Sequence, residues 1–282
     1  MLDISVVVPV RNAKDLLDDC LASIVRSEPR EIIVVDGNST DRTLEIARRY
    51  PVQILCDEGR GLPAARLLGA KAARSQWVAL VDADVVLPEG ALEQLLTEFV
   101  DGGYTALQAG LESTSGPGYW GRALAHHHRT GRSKDWFGLV ATIFERDAIV
   151  EIGFDPRFVS GEDIEIRWRL ARSGARVGVS QKTVVTHRFG DTFEFARGQW
   201  SADGRGLARM IRKHRMRGAL LLALPLAAGV RGIALSLVRR QPGWITYYAC
   251  FMLFNYAAML GELGRRRAGF VLMSARANAR NG

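Results

Sequence analysis

The sequence predicts an α/β fold: a doubly wound, mostly parallel sheet followed by a C-terminal membrane-associated helical hairpin. Three observations predict it. Short β-branched runs alternate with helix-patterned segments through the first part of the 282-residue chain, and such alternation builds parallel sheets covered on both faces. Two of those runs end in acidic residues, at the strand ends where open α/β sheets bind ligands. The last third carries two long apolar stretches bounded by arginines.

The elements follow in order. Ile4–Pro9 is the first strand, and Leu16, Leu17, Cys20, Leu21, Ile24 and Val25 recur at the spacing of one helix face. Glu31–Asp36, Val52–Cys56 and Trp77–Val81 are the next strands, with helices over Asp41–Tyr50 and Pro63–Ala73 between them. Pro63 suits a first helical turn, where a missing N–H does no harm. From about 101 to 135 Gly102, Gly103, Gly110, Gly116, Pro117, Gly118 and Gly121 break the pattern, and a loop is expected. Order returns with a strand at Leu139–Glu145 and a helix at Glu162–Ser173, closed by Gly174 as a C′ glycine. Val177–Val179 and Thr183–Thr186 read as two short strands.

Gly218–Val238 is 21 residues with one charge, Arg231, and Trp244–Leu263 is 20 residues with one charge, Glu262. Each is long enough to cross a bilayer core of roughly 30 Å. Arginine at the bilayer centre costs roughly 2.5–3.5 kcal/mol on insertion scales. A spanning hairpin would also carry Arg239 and Arg240 to the far side, against the positive-inside tendency. A monotopic or re-entrant hairpin meets neither objection, and a pair of buried helices in a soluble core or an oligomer contact is the bland alternative. The domains expected are therefore 1–210 for the α/β sheet, 211–267 a membrane-associated hairpin, and 268–282 a basic, partly mobile tail.

Composition narrows the class. With 48% apolar and 24% charged residues the chain is globular, neither collagenous nor disordered. Cys20, Cys56 and Cys250 are too widely spaced for a disulfide framework or a zinc knuckle, and they suit a reducing compartment. From residue 197 onward 15 Lys/Arg face two acids, a net +13, which leaves residues 1–196 at −5. A mildly acidic body with a basic, apolar end points to an anionic membrane surface rather than nucleic acid. The opening MLDISVVVPV, with an acid at position 3 and a short β-branched run, does not read as a signal peptide.

Three constellations carry chemistry. Asp82-Ala83-Asp84 follows the apolar strand WVALV. Residues two apart on a strand share a face, and two carboxylates about 4 Å apart repel by roughly 4 kcal/mol at an effective dielectric near 20. A hard divalent cation bridging to a diphosphate would offset this; a turn acid beside a helix-capping acid is the bland alternative. Asp36, at the end of EIIVVD, precedes turn residues and Asp41, a natural N-cap. The turn does not require Asp36, whose carboxylate is suited to accept a base N–H or a ribose hydroxyl. Gly161-Glu162-Asp163 opens a helix. Its acids either favour the helix dipole or supply a general base.

Two further patterns are weaker. His126-His127-His128 does not present three rings on one helix face. Gly59-Arg60-Gly61-Leu62-Pro63-Ala64 mimics a dinucleotide-binding loop, but it follows the third strand candidate rather than the first, and reads as a tight strand-to-helix turn.

Together VVVPVRN, EIIVVDGNSTDRT, VDADVVLPEGAL and FERDAIVEIGFDPRFVSGEDIEIRWRLARSGARV resemble, in order and spacing, the inverting family 2 glycosyltransferases with their GT-A fold, over residues 4 to 206. The resemblance implies that Pro9 and Arg11 line a nucleotide pocket and that Asp36 contacts base or ribose. It implies that Asp82 lies near ribose and metal, that Asp84 ligates Mn²⁺ or Mg²⁺, and that Arg66 reaches the diphosphate. Asp163 would be the catalytic base with Glu162 supporting it, and His187 an additional metal ligand, its imidazole suiting Mn²⁺ better than Mg²⁺. Arg197-Gly198-Gln199-Trp200 matches the processive members' Q-x-x-R-W element only loosely. Arg197 and Trp200 either border an acceptor channel or belong to a plain amphipathic helix.

The expected reaction is metal-dependent, inverting transfer of a sugar from a nucleotide diphosphate sugar, UDP-sugars first, to a hydroxyl of a lipid or lipid-linked glycan. The expected place is the cytoplasmic face of the membrane. A polyprenyl phosphate is the rival acceptor; being anionic it needs no base, so the Glu162-Asp163 pair favours a hydroxyl. An NAD-dependent dehydrogenase using Gly59 and Gly61 is disfavoured, because the D-x-D carboxylates would repel a pyrophosphate. A catalytically dead membrane scaffold is the non-enzymatic alternative.

Overall fold

The β-branched runs form the centre of the fold because their alternate side chains are buried on both faces. In the computed structural model β1 (Leu2–Val10) directs Ile4, Val6, Val8 and Val10 into one core and Val7 into the other. The structure describes residues 1–131, 137–158 and 160–278, with side chains described except at Arg217 and beyond residue 265. It divides into two compact units, Met1–Gly190 and Asp191–Gly282.

In the first unit α1 (Leu17–Arg26) lays Leu17, Cys20, Leu21 and Ile24 on the sheet. It is followed by β2 (Pro29–Asp36), the short α2 (Thr43–Ala47), β3 (Gln53–Cys56) and α3 (Leu62–Ala72). Next come β4 (Trp77–Val81), the two-residue β5 (Val85–Val86) and α4 (Ala91–Asp101). β6 (Ala106–Ser115), α5 (Tyr119–Thr130), β7 (Ala141–Glu145), α6 (Arg146–Ile152), α7 (Glu162–Arg172) and β8 (Val177–Phe189) complete it. The sheet order is β3-β2-β1-β4-β7-β6-β8-β5. Among its neighbouring pairs four are parallel and three, β4–β7, β6–β7 and β5–β8, antiparallel. The sheet is therefore mixed, its N-terminal half parallel as expected. α1 and α4 cover one face; α3, α6 and α7 cover the other. Gly69 lets α3 meet β1, since a Cβ there would stand 2.2 Å from Val7 Cγ1.

The glycine-rich stretch departs from the expected loop, for it holds β6 and α5. Its glycines serve turns and close approaches instead: Gly103 ends α4 at φ +58°, and a Cβ on Gly110 would lie 3.0 Å from the Ser180 carbonyl. The two short strands expected at 177–179 and 183–186 are one strand. Its register with β6 jumps from Gln108↔Val179 to Gly110↔Val184, a bulge. The Ser180 hydroxyl closes it by accepting the Lys182 and Thr183 N–H groups at 3.1 and 2.9 Å.

The second unit is helical: α8 (Phe193–His214), the single turn α9 (Met216–Ala219), a 3₁₀ turn at Leu220–Ala223, α10 (Leu224–Val238), a 3₁₀ turn at Pro242–Trp244, and α11 (Ile245–Asn278). The boundary expected at 210 falls inside α8; the chain divides at residue 190. Glycines set the helix spacing. A Cβ at Gly204 would meet the Asn255 carbonyl at 2.2 Å, one at Gly229 Met252 Cγ at 2.3 Å, and one at Gly232 Tyr248 Cε1 at 2.1 Å. Among the described residues one helix, Leu220–Val238, is long and apolar enough to cross a membrane, with mean hydropathy 2.0 and 28% of that stretch buried. The second expected stretch includes Tyr247, Tyr248, Asn255 and Tyr256, whose polar groups lower its hydropathy; Asn255 donates to the Phe251 carbonyl at 2.9 Å. α11 runs on through the expected tail to Asn278, and residues 279–282 lie outside the described ones.

Candidate active site

The carboxyl ends of β1, β2 and β3 are tied by side chain-to-backbone bonds. Asn12, at φ 52°, accepts the Thr40 N–H at 2.8 Å while its own N–H reaches Ser39 Oγ at 2.9 Å. Asp41 accepts the Thr43 and Lys14 N–H groups at 3.0 and 3.2 Å, which ties the start of α2 to the β1 loop, but the N-cap of α2 is Arg42 and not Asp41 as expected. Buried Asp36 accepts the Ser39 N–H at 3.2 Å. The turn therefore does use Asp36, contrary to the sequence reading. Pro9 is buried within β1 and Arg11 is exposed just past it. Asp57 accepts the Gly59 and Gly61 N–H groups at 2.8 and 2.9 Å. Those amides are thus occupied by a carboxylate, as a strand-to-helix turn requires and a phosphate-binding loop does not.

Past Val81 the chain leaves the strand. Asp82 N–H still bonds the Val140 carbonyl at 2.8 Å, and Val85 N–H closes a turn on the Asp82 carbonyl at 3.1 Å. This turn sends the two carboxylates to different partners. Arg66, from α3 and only 2% exposed, binds both Asp82 oxygens at 2.7 and 3.0 Å and Glu162 Oε1 at 2.7 Å. Asp84 Oδ2 lies 3.2 Å from His187 Nε2. The repulsion expected between the acids is thus offset by a guanidinium on one and an imidazole on the other. Arg66 is committed to the acids at both ends of its guanidinium rather than reaching outward.

The Arg66 bridge joins the end of β4 to the start of α7, where Gly161, at φ +77°, turns the chain into the helix. Asp163, the next acid, makes no ion pair among the described residues. Burial, with Glu162 beside it, pushes its carboxyl up to about 6, against backbone N–H groups and Arg66. Burial also raises Asp82, with Arg66 opposing and Asp84 adding to it. Gly138 stands against this pair: its N–H donates to Gln108 Oε1 at 2.8 Å, and a Cβ there would lie 3.7 Å from Asp163 Oδ2. Sequence reading missed Gln108, which lies in the stretch taken as a loop.

His187, on β8 beside Val85 of β5, packs its ring 4.6 Å from Phe189, which meets His128 of α5 at 4.8 Å. Burial pulls His187 down, but the hydrogen bond and charge of Asp84, with Asp82, outweigh it and hold its pKa above the usual value. Burial, with His127 and His187 nearby, lowers His128 to about 3, so it is neutral. Asp84 Oδ1 is buried with no hydrogen-bond partner among the described residues. A bare carboxylate oxygen beside an imidazole nitrogen is a mixed donor pair that fits a Mn²⁺-type cation. Among the described residues no third His, Cys, Asp or Glu completes a cluster, and the 126–128 histidines form none.

In the second unit Trp200 is wholly buried, 5.3 Å from Tyr247 and stacked 6.0 Å from Phe254, while Arg197 lies over Phe254 at 5.4 Å. The Trp200 indole is a packing element of that unit. A separate acidic groove of about 840 Å³ along α4, lined by Glu89, Glu93, Glu98, Asp101 and Lys182, contains none of the expected site residues.

The chain is similar to known proteins in sequence and in fold. The sequence is 28% identical over 217 residues to the succinoglycan biosynthesis protein ExoA of Rhizobium meliloti (strain 1021), covering 70% of this chain and 65% of that one. It is 28% identical over 201 residues to the pre-mycofactocin glycosyltransferase of Mycobacterium tuberculosis (strain CDC 1551 / Oshkosh), covering 66% and 42%. The chain thus spans less than two thirds of either relative. Its fold matches that of a mannosyltransferase from Pyrobaculum calidifontis solved in complex with GDP-Man and Mn²⁺, with TM-score 0.64, 21% identity, and coverage of 92% and 87%. The profile of glycosyl transferase family 2 matches residues 5–150, just over half the chain, and by that match the chain belongs to this family.

Proposed function

We propose that the protein is an inverting glycosyltransferase that moves a sugar from a nucleotide diphosphate sugar, UDP-sugars first, to a hydroxyl of a lipid or lipid-linked glycan. The observation that carries the reading is the Arg66 bridge. It fixes the D-x-D turn and the head of α7 in one cluster, and beside it Asp163 makes no ion pair among the described residues.

Asp36 and the loop after β1 would hold the nucleoside, with Pro9 and Arg11 at its edge. Asp84 and His187 would hold a divalent cation, Mn²⁺ or Mg²⁺, with Asp82 behind them; bound there, it would neutralise charge on the leaving diphosphate. Asp163 would accept the acceptor hydroxyl's proton as that oxygen bonds the anomeric carbon from the face opposite the diphosphate. The carbon–oxygen bond to phosphate breaks in the same step, and the configuration inverts. Base catalysis of this kind is worth typically about 10²–10⁴ in rate. A base with a pKa of about 6 is ionised at neutral pH yet basic enough to take a proton. The relatives named for glycan or glycoside assembly support this class of reaction, and the Mn²⁺ in the structural neighbour supports the cation. We place the acceptor at the membrane, on its cytoplasmic face; the apolar helix of the second unit supports the membrane association. Arg197 and Trp200 would border the acceptor's path only through the helix that carries them.

The test is binding of UDP-, GDP- and dTDP-sugars to purified protein with and without Mn²⁺. One nucleotide should bind with metal, and Asp84→Ala should lose that binding. Transfer to a polyprenyl phosphate alone, undiminished in Asp163→Asn, would replace the hydroxyl acceptor by the phosphate one.

A further inference from the structure

α10 has its side chains inside out for a helix in water. Its buried stripe, at spacings of four, three and four, is Pro225, Gly229, Gly232 and Ser236, mostly small residues with one hydroxyl, and Leu221 of the preceding 3₁₀ turn continues it. That stripe packs on α11, where Met252 and Tyr248 fill the space a Cβ would take at Gly229 and Gly232. Tyr256 Oη donates to the Leu222 carbonyl at 2.7 Å from the same helix. The leucines face outward: Leu226 and Leu237 are 52% and 58% exposed, with Leu222, Leu224, Val230 and Val238 beside them. Small residues between helices and leucines outside is the pattern of helices solvated by lipid. A buried core helix of equal hydropathy would show the reverse.

Both ends of this apolar surface are basic. Arg212, Lys213 and Arg215 precede it, and Arg239 and Arg240 follow it. Its depth is limited by α8. Trp200 of α8 meets Tyr247, Gly204 meets Asn255 and Arg209 bonds Glu262 at 3.2 Å. α8 therefore runs along the same length of α11 that α10 covers. Arg197, Gln199 and Asp203 are exposed on α8, and Arg231 is exposed midway along α10. Placing α10 across a bilayer would carry these groups into hydrocarbon.

We infer that the outward face of α10 is an interfacial membrane-docking surface. It lies in the plane of an anionic bilayer, its leucines in the acyl layer and its terminal arginines on lipid phosphates. The inference deepens the membrane placement proposed above and rests on it.

The test is flotation of the full chain with vesicles of phosphatidylcholine, alone or mixed with phosphatidylglycerol. The wild type should float with the mixed vesicles. The double variant Leu226→Glu, Leu237→Glu should lose about tenfold or more in partitioning, with an unchanged circular dichroism spectrum because both side chains already face outward. Arg239→Glu, Arg240→Glu, which leaves the apolar face intact, should lose the preference for anionic lipid. In spheroplasts of an expressing bacterium, external trypsin should leave the Arg239–Arg240 turn uncut. Failure of the wild type to float, equal flotation of the leucine variant, or cleavage of that turn from outside would each overturn the inference, the last in favour of a spanning hairpin. Sugar-nucleotide binding in the same preparations reports separately on the transferase reading. Its loss with flotation intact would sink that reading and not the docking surface.

Discussion

Arg66 shows how one residue can govern three. It is buried with a carboxylate at each end of its guanidinium, and breaking a buried pair of this kind costs about 3–5 kcal/mol. Arg66→Met should therefore be strongly destabilised. The loss should be larger at pH 8 than at pH 5, because burial already raises the Asp82 carboxyl, and without Arg66 it would have to hold a proton to stay buried. Urea titrations at the two pH values check this; equal losses would contradict it. Asp163 makes the complementary case. Its native pKa of about 6 exceeds the ordinary aspartate value of 3.8, so the folded chain binds the proton more tightly than the unfolded one. Its contribution to stability is thus complete below about pH 4 and declines as pH rises through about 6. Asp163→Asn removes that decline: it should melt higher than wild type at pH 7.5 and show a smaller difference at pH 4. Its turnover should fall by about 10²–10⁴ with donor affinity kept, and the wild-type rate should climb as pH rises through about 6 and then level. Normal turnover in purified Asp163→Asn would end its assignment as the base.

At the scale of elements, what the sequence made legible was whatever periodicity and strand-end acids encode. β4 begins and ends where the β-branched run does, and α7 opens at Glu162 and closes before Gly174 at φ +76°. β6 and α5 were illegible because glycine has two meanings. In Gly103 it marks a turn, whereas in Gly110 it marks a strand pressed against the Ser180 bulge, and composition cannot separate the two. The site shows the same limit. Asp82, Asp84, Glu162 and Asp163 announce themselves by charge at element ends. The pairing of Asp82 with Arg66 and of Asp84 with His187 needs the turn after Val81 and the β5–β8 ladder, which are long-range facts. Gln108 is invisible for the same reason. Packing at this scale is testable at Gly69. Gly69→Ala puts a Cβ 2.2 Å from Val7 Cγ1, and overpacking of this kind costs about 1–3 kcal/mol. Combining it with Val7→Ala should return part of the loss, since residues in contact couple; strict additivity in urea unfolding would show that α3 relieves the clash by shifting.

At the scale of the whole chain, charge and chemistry are partitioned together. Residues 1–190 carry 23 basic and 26 acidic side chains, and residues 191–282 carry 15 and four. Every residue proposed for the donor, the cation and the proton lies before the division: Pro9, Arg11, Asp36, Asp82, Asp84, Asp163 and His187. The outward leucines and the arginines at their ends lie after it. The division also falls just past the last strand, β8, so a chain ending at Gly190 keeps all eight strands and both faces of the core. The proposals made above then give each unit a separable task, recognition of the donor in one and contact with lipid in the other. A protein of residues 1–190 should stay soluble without detergent, unfold in one cooperative transition and bind the metal-dependent sugar nucleotide as the full chain does. It should not float with anionic vesicles. Donor binding measured by calorimetry beside flotation of the same sample decides it. If the shortened protein folds but no longer binds the nucleotide, the second unit takes part in the donor site and the partition is wrong. If it still floats, the lipid contact belongs to the sheet unit and not to the leucine face of α10.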